Sequence, residues 1–323
     1  MKAVIIEQPG GVDALHYADF PKPQPGPGEV LVKIAYSGVN FIDTYHRSGL
    51  YKLPLPAVIG SEASGRVEQL GEGVTQFKLG DRVAYTLARG SYAEYHAVPA
   101  AQLVKTPDNV DDATAAACML QGATAHYLTH STFHLKRGQT TLVHAAAGGT
   151  GRLIVQIAAM IGARVIGTVG SEEKAKIAKG DGASDTILYN QQDFVVETKR
   201  LTDGKGVEVV YDGVGQATLL KGFDCLKPRG MMVAFGNSSG PAAPVDLLML
   251  SQKGSLYVTR PTLFTYMASR EDLEWRTSDL FAWIGSGKLK INIDKIYPLA
   301  EAAQAHRDLE GRKTTGKLLL KMS

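Results

Sequence analysis

A chain of 323 residues is longer than one ordinary core takes up and predicts two domains, and its hydrophobic (44%) and charged (21%) contents argue against disorder. The formal net charge of +3 is too small to imply a nucleic acid or a membrane surface as partner, and no run approaches the ~20 apolar residues that span a bilayer. The start, MKAVIIEQPGG, has no long apolar segment with a cleavage site, and Cys118 and Cys225 are too few for a disulfide framework or a cysteine-rich zinc cage, so a cytoplasmic location is expected.

In chain order, Pro21, Pro23, Pro25 and Pro27 mark a loop, after which Val30–Ala35 alternates as a strand. Gly60–Leu70, Asp81–Tyr85 and Ala93–Val98 read the same way, and a run of short strands predicts a β-rich, barrel-like domain. From Thr124 the texture changes to strand, glycine turn and helix in alternation. The predicted strands are Thr140–Ala145, Arg164–Val169, Thr186–Tyr189, Val207–Asp212, Met231–Gly236 and Ser255–Thr259, which together predict an α/β, doubly wound parallel Rossmann sheet. His126, His130 and His134 fall at i, i+4 and i+8 on what reads as one helix; with no carboxylate or cysteine at matching spacing, they read as an ordinary helix face. After Arg260 the pattern breaks, a helix is predicted around Asp272–Ile284, and Lys317–Lys321 reads as a strand that rejoins the first domain. The expected division is 124–261 for the inserted sheet domain, with 1–123 and 262–323 forming the other.

The sharpest local signal is TTLVHAAAGGTGRLIVQIAAMIGA, in which an apolar strand meets Ala146, Gly148 and Gly151 and then an amphipathic helix from about Arg152. This is the dinucleotide fingerprint with alanine in the first glycine slot: Gly148 admits a pyrophosphate to the backbone, and Gly151 admits close helix–strand packing. Gly149 and Thr150 lie at the helix start, where unpaired N–H groups and the helix dipole favour an anion. The following strand ends in Gly167–Thr168–Val169–Gly170–Ser171 with no acid at its tip, which favours NADPH over NADH. Gly170 and Ser171 are candidate donors to the 2′-phosphate, and Lys174 is either its cation or a surface lysine paired with Glu172 or Glu173.

The segments SGVNFIDTYHRSGLY (37–51), GSEASGRVEQLGEGV (60–74), GDRVAY (80–85), HAAAGGTG (144–151), GTVGSEEK (167–174), VVYDGVG (209–215), AFGNSSG (234–240) and QKGSLYVTRP (252–261) resemble the zeta-crystallin-like quinone oxidoreductases of the medium-chain dehydrogenase/reductase superfamily. The resemblance runs nearly end to end. It implies a GroES-like domain with the cofactor domain inserted in it, an active site between the two, and a homodimer joined through the cofactor-sheet edge near Ser255–Thr259. Where metal-dependent relatives carry catalytic zinc ligands, this chain has Asn40, Ser61 and Gln121, none a good zinc donor, so no metal is expected.

Without a Lewis acid, alcohol oxidation is disfavoured, whereas a quinone is already electron-poor and needs only alignment with the reduced cofactor. The resemblance puts Asn40 and Tyr45 beside the nicotinamide and Tyr51 in the acceptor pocket, although each tyrosine also reads as a half-buried packing residue. It further assigns Thr124 to the nicotinamide end, Tyr189 to the adenosine phosphate, Phe235, Gly236, Asn237 and Ser238 to the ribose loop, and Arg312 to the cofactor. The expected activity is NADPH-dependent reduction of a small quinone or another electron-poor acceptor. Reduction of an enone or alkenal double bond is the alternative; a non-enzymatic RNA-binding role is a third reading, against which the balanced charge argues.

Overall fold

The computed structural model describes residues 1–311 and 314–322. It divides into two units, Met1–Ala123 with Met267–Ser323, and Thr124–Tyr266.

The first unit begins with β1 (Lys2–Ile6), β2 (His16–Asp19), β3 (Glu29–Val39), α1 (Phe41–Ser48), β4 (Ala57–Val58), β5 (Glu62–Leu70), β6 (Arg82–Thr86), β7 (Tyr95–Pro99) and β8 (Leu103–Lys105). Helix α2 (Asp112–Tyr127) follows. The second unit holds β9 (Thr140–Val143), α3 (Gly149–Ile161), β10 (Arg164–Val169), α4 (Glu172–Gly180), β11 (Asp185–Leu188), α5 (Phe194–Leu201), β12 (Val207–Asp212), α6 (Leu219–Gly222), β13 (Leu226–Ala234), α7 (Leu247–Gln252), β14 (Tyr257–Thr259) and α8 (Leu263–Tyr266). The chain returns to the first unit through α9 (Arg270–Gly285), β15 (Ile293–Pro298), α10 (Ala302–Glu310) and β16 (Lys317–Lys321).

The sheet of the second unit is parallel throughout, in the order β11-β10-β9-β12-β13-β14. The order reverses between β9 and β12, and in doubly wound sheets ligands bind outside the carboxyl ends of the strands at such a point. Buried Leu142, Ile166, Ile187, Val207, Val210 and Phe223 form its core with Phe194. The predicted strands are all present, and α3 begins three residues before the expected Arg152, because Gly149 and Thr150 already take helical backbone.

In the first unit a seven-stranded sheet runs β15-β16-β3-β5-β6-β8, with β7 also paired to β3, and a smaller sheet runs β2-β1-β4. The β-rich, GroES-like expectation corresponds to this unit. β16 lies antiparallel to β3, with Leu318 opposite Val39 and Leu319 opposite Gly38. The last strand therefore lies beside the segment that leads into α1.

Two expectations need correction. Residues 262–266, assigned to the flanking domain from sequence, belong to the second unit, where the Tyr266 ring stacks on Tyr127 at 4.5 Å and 11°. The three histidines do not share one α-helix: α2 ends at Tyr127 and continues as a π-helical turn, Leu128–Thr132. The wider turn stacks His126 on His130 at 4.4 Å and leaves His134 beyond it.

Candidate functional site

In the second unit, the carboxyl ends of the strands carry the candidate cofactor residues. After β9 the backbone turns through Ala145 at φ +51°, and Gly148 N–H donates to the Ala145 carbonyl at 2.8 Å. Gly148 caps α3 without any side-chain bond, so no cap side chain competes for the first N–H groups of the helix, at Gly149, Thr150 and Gly151, and such N–H groups can receive an anion. A Cβ on Gly151 would lie 2.2 Å from the Ala145 carbonyl oxygen, so helix and turn approach as only glycine permits. At Gly148 the nearest atom would be 3.2 Å away, and the protein leaves more room there. Alanine in the first slot has its own cost: a Cβ on Gly167 of β10 would be 2.7 Å from the Ala146 Cβ, so the turn after β9 and β10 accept only one methyl between them.

At the tip of β10, Gly170, Ser171 and Tyr189 come together. A Cβ on Gly170 would sit 2.7 Å from the Tyr189 hydroxyl, and Asn190 Nδ2 donates to the Gly170 carbonyl at 2.9 Å. Ser171 caps α4 by accepting from Lys174 N–H at 3.3 Å. Its hydroxyl also hydrogen-bonds the exposed Glu173 carboxylate, which the residue's own N–H and, after it, that bond hold below the usual range. Ser171 thus serves first as a helix cap, a role the sequence reading did not weigh.

At the end of β12, Asp212 is fully buried and accepts from Val214 N–H (2.7 Å), Gly215 N–H (3.0 Å) and the Thr218 hydroxyl (2.7 Å). This carboxylate ties the Gly213–Gly215 turn. The Phe235–Ser238 loop lies on that turn: Gly236 has no room for a Cβ beside the Gly213 carbonyl, 2.4 Å away, and Ser238 N–H donates to that same carbonyl at 3.3 Å. Arg260 Nη1 donates to the Gly236 carbonyl at 3.0 Å. Neither Asp212 nor Arg260 was singled out from sequence: the Arg260 partner lies 24 positions away in the chain, whereas the Asp212 partners are local and the Asp-Gly pair at the end of β12 was the available turn signal. Thr124 is buried on α2. Arg312 lies outside the described residues.

In the first unit, Asn40 is the N-cap of α1, and its backbone N–H donates to Asp43 Oδ2 at 2.9 Å. Asn40 Nδ2 donates to Glu62 Oε1 at 2.7 Å, and Asn40 Oδ1 accepts from Lys317 Nζ at 2.6 Å and from Gln121 Nε2 at 3.4 Å. Lys317 also pairs directly with Glu62, whose other oxygen accepts from Leu120 N–H at 2.6 Å. Lys317 (2% exposed) and Glu62 (0%) therefore form a buried ion pair that the sequence reading missed. The Asn40 amide, expected beside the nicotinamide, spends most of its hydrogen-bonding capacity inside the protein.

Ser61 donates to Asp43 Oδ1 at 2.8 Å, and Tyr92 donates to Asp43 Oδ2 at 3.2 Å. Behind Tyr92, His306 Nε2 lies 3.0 Å from the Tyr92 hydroxyl and His306 Nδ1 lies 3.0 Å from Arg47 Nη1. A guanidinium only donates, so Nδ1 accepts, Nε2 carries the proton, and every bond in the chain points toward Asp43. Burial pushes the Asp43 carboxyl up to about 7, against the hydrogen bonds from Ser61 and the Asn40 N–H. Tyr45 and Tyr51 meet edge to face at 5.3 Å, and Tyr51 is partly exposed. No group of three or more His, Cys, Asp or Glu side chains suited to a metal occurs among the described residues.

Comparison with known proteins gives two family-model matches, an alcohol dehydrogenase GroES-like domain over residues 26–108 and a zinc-binding dehydrogenase domain over 182–320. A quinone oxidoreductase of Pseudomonas aeruginosa is 49% identical over 96% of both chains, and a 2-haloacrylate reductase of a Burkholderia species is 43% identical over 98% of both. The crystal structure of Escherichia coli quinone oxidoreductase complexed with NADPH superposes with a TM-score of 0.97 at 43% identity, covering 99% of this chain and 100% of that one.

Proposed function

The chain belongs to the quinone oxidoreductase family of the medium-chain dehydrogenases, and from that membership we propose that it is an NADPH-dependent reductase of small quinones that works without a metal. The observation that carries this reading is the open N-terminus of α3, where Gly148 and Gly151 bring bare N–H groups to the carboxyl edge of the parallel sheet. Gly149, Thr150, Gly170, Ser171, Lys174, Tyr189 and the Phe235–Ser238 loop are the residues that would hold the cofactor there. When bound, NADPH supplies the hydride, and a proton completes reduction of the quinone to the hydroquinone.

The zinc that one family model implies does not suit the residues present. Asn40 Oδ1 already accepts from an ammonium, Ser61 donates its hydroxyl to Asp43, and Gln121 offers a neutral amide. No step is routed through a metal. Tyr45 and Tyr51 offer an aromatic face to a flat acceptor. Mixing the protein with NADPH and simple quinones tests the reading; no loss of nicotinamide absorbance with any of them overturns it. The match to a 2-haloacrylate reductase favours a second reading, reduction of an activated double bond. Direct competition between a quinone and an enone ranks the two.

The preference for NADPH rests on the missing acid at the β10 tip and on Lys174. Lys174→Glu is expected to lower the ratio of kcat/KM for NADPH over NADH at least about tenfold, since it places a carboxylate where a phosphate would lie. An unchanged ratio removes Lys174 from the phosphate site.

The reading includes a homodimer through β14, supported by its place at the edge of the sheet and by exposed apolar side chains on and near it: Tyr257 (57%), Leu247 (75%), Leu248, Val258 and Phe264. Sedimentation is expected to show two chains for the wild type and one for Val258→Lys; an unchanged dimer in the variant places the interface elsewhere. Buried, unpaired Cys118 and Cys225 fit a reducing, cytoplasmic setting.

A further inference from the structure

Lys317 and Glu62, the buried ion pair, both lie in the first unit, whereas the residues proposed to hold the cofactor phosphates lie in the second. Burying an ammonium and a carboxylate is costly, and such a pair is a weak source of stability, so its use lies in what it orients. Lys317 Nζ touches both Glu62 Oε1 and Asn40 Oδ1, and Glu62 Oε1 in turn accepts from Asn40 Nδ2. The amide oxygen faces a cation and its nitrogen an anion, so a flipped Asn40 would meet repulsion at both ends. The space is built for the carboxylate: a Cβ on Gly38 would lie 2.1 Å from Glu62 Oε1. Asn40 Oδ1, so fixed, holds Gln121 through Nε2 at 3.4 Å, while Gln121 is half-buried and Nε2 donates no second hydrogen bond among the described residues.

We propose that Lys317 is a positioning residue for the acceptor: its ammonium, clamped between Glu62 and Asn40, locks the Asn40 amide and thereby sets Gln121, whose second Nε2 hydrogen donates to the quinone carbonyl. Gln121 is the specificity residue of this arrangement, and a fixed internal cation organises the site. This deepens the quinone reductase reading and rests on it.

The test compares wild type, Lys317→Arg, and the double variant Lys317→Met/Glu62→Gln, which leaves no buried charge unpaired. The double variant is expected to keep NADPH affinity within about twofold while KM for a small quinone rises about tenfold and kcat falls less, with Lys317→Arg recovering most of that KM. A double variant with unchanged KM overturns the proposal. In the wild type, where folding is not at issue, a saturating quinone analogue is expected to shift the Gln121 side-chain amide NMR signal and leave that of Asn40 in place; an unmoved Gln121 signal also overturns it. If the wild type reduces no quinone, the proposed activity fails instead. The Lys317 assignment is then read from the Asn40 amide pair, expected to exchange slowly in the wild type and rapidly in the double variant; equal exchange overturns it.

Discussion

Replacing Gly151 by alanine is expected to weaken NADPH binding at least about 100-fold and to remove quinone reduction with it. All three nearest atoms to the added methyl are backbone: the Ala145 carbonyl oxygen at 2.2 Å, the Ala145 carbonyl carbon at 3.0 Å and the Ala146 Cα at 3.1 Å. No side chain can swing aside, so α3 has to move off the turn, and its N–H groups lose their aim. Gly148→Ala separates ligand from fold. The nearest protein atom there would be 3.2 Å away, so the fold is expected to tolerate the methyl while a pyrophosphate is kept from the backbone. Thermal unfolding with titration of NADPH checks both: Gly151→Ala loses stability and affinity, Gly148→Ala affinity alone. Wild-type affinity in Gly151→Ala would show that this turn is not the phosphate cradle.

The protein is expected to lose stability as pH falls from 6.5 toward 4, with the unfolding midpoint dropping on the order of 10 °C. Burial pushes His96 down to about 4, and burial together with the positive charge of Arg47 pushes His306 down to about 3. His46 is lowered to about 4 by desolvation and the charge of Arg89. Below pH 6.5 these histidines take up protons when unfolded but stay neutral when folded, so the unfolded state binds more protons and acid favours it. His96 and His306 each withdraw roughly 3 kcal/mol by pH 4. Asp43 works in the other direction. Its folded value, about 7, lies above the ordinary 3.8, so between those values the native state binds the extra proton and gains stability as pH falls, which offsets part of the loss. Asp43→Asn is therefore expected to steepen the acid decline, and His96→Phe to flatten it. A midpoint independent of pH between 4 and 7 would mean that these groups do not titrate as their burial requires.

Much of the cofactor domain was legible because its determinants are local. The turn from β9 to α3 is one contiguous segment, and strand, glycine and helix each leave a mark in residue type at fixed spacing. The tip of β10 was legible for the same reason, except that Ser171 proved to be a helix cap. The π-helical turn after Tyr127 was not legible, since apolar periodicity does not distinguish one widened turn from continued α-helix. In the first unit, Lys317 read only as part of a strand, although that strand lies beside β3 and puts its first side chain against Asn40.

The sequence by itself determined the two-domain α/β architecture, the glycine turn from β9 into α3 and the lack of thiolate or imidazole at Asn40, Ser61 and Gln121, because each is a property of residue identity and short-range spacing. Only the tertiary structure decided that Lys317 reaches Asn40 across 277 positions and that Asp43 holds its proton near neutrality. Long-range partners and desolvation arise from which surfaces pack together, and no residue type carries that information alone.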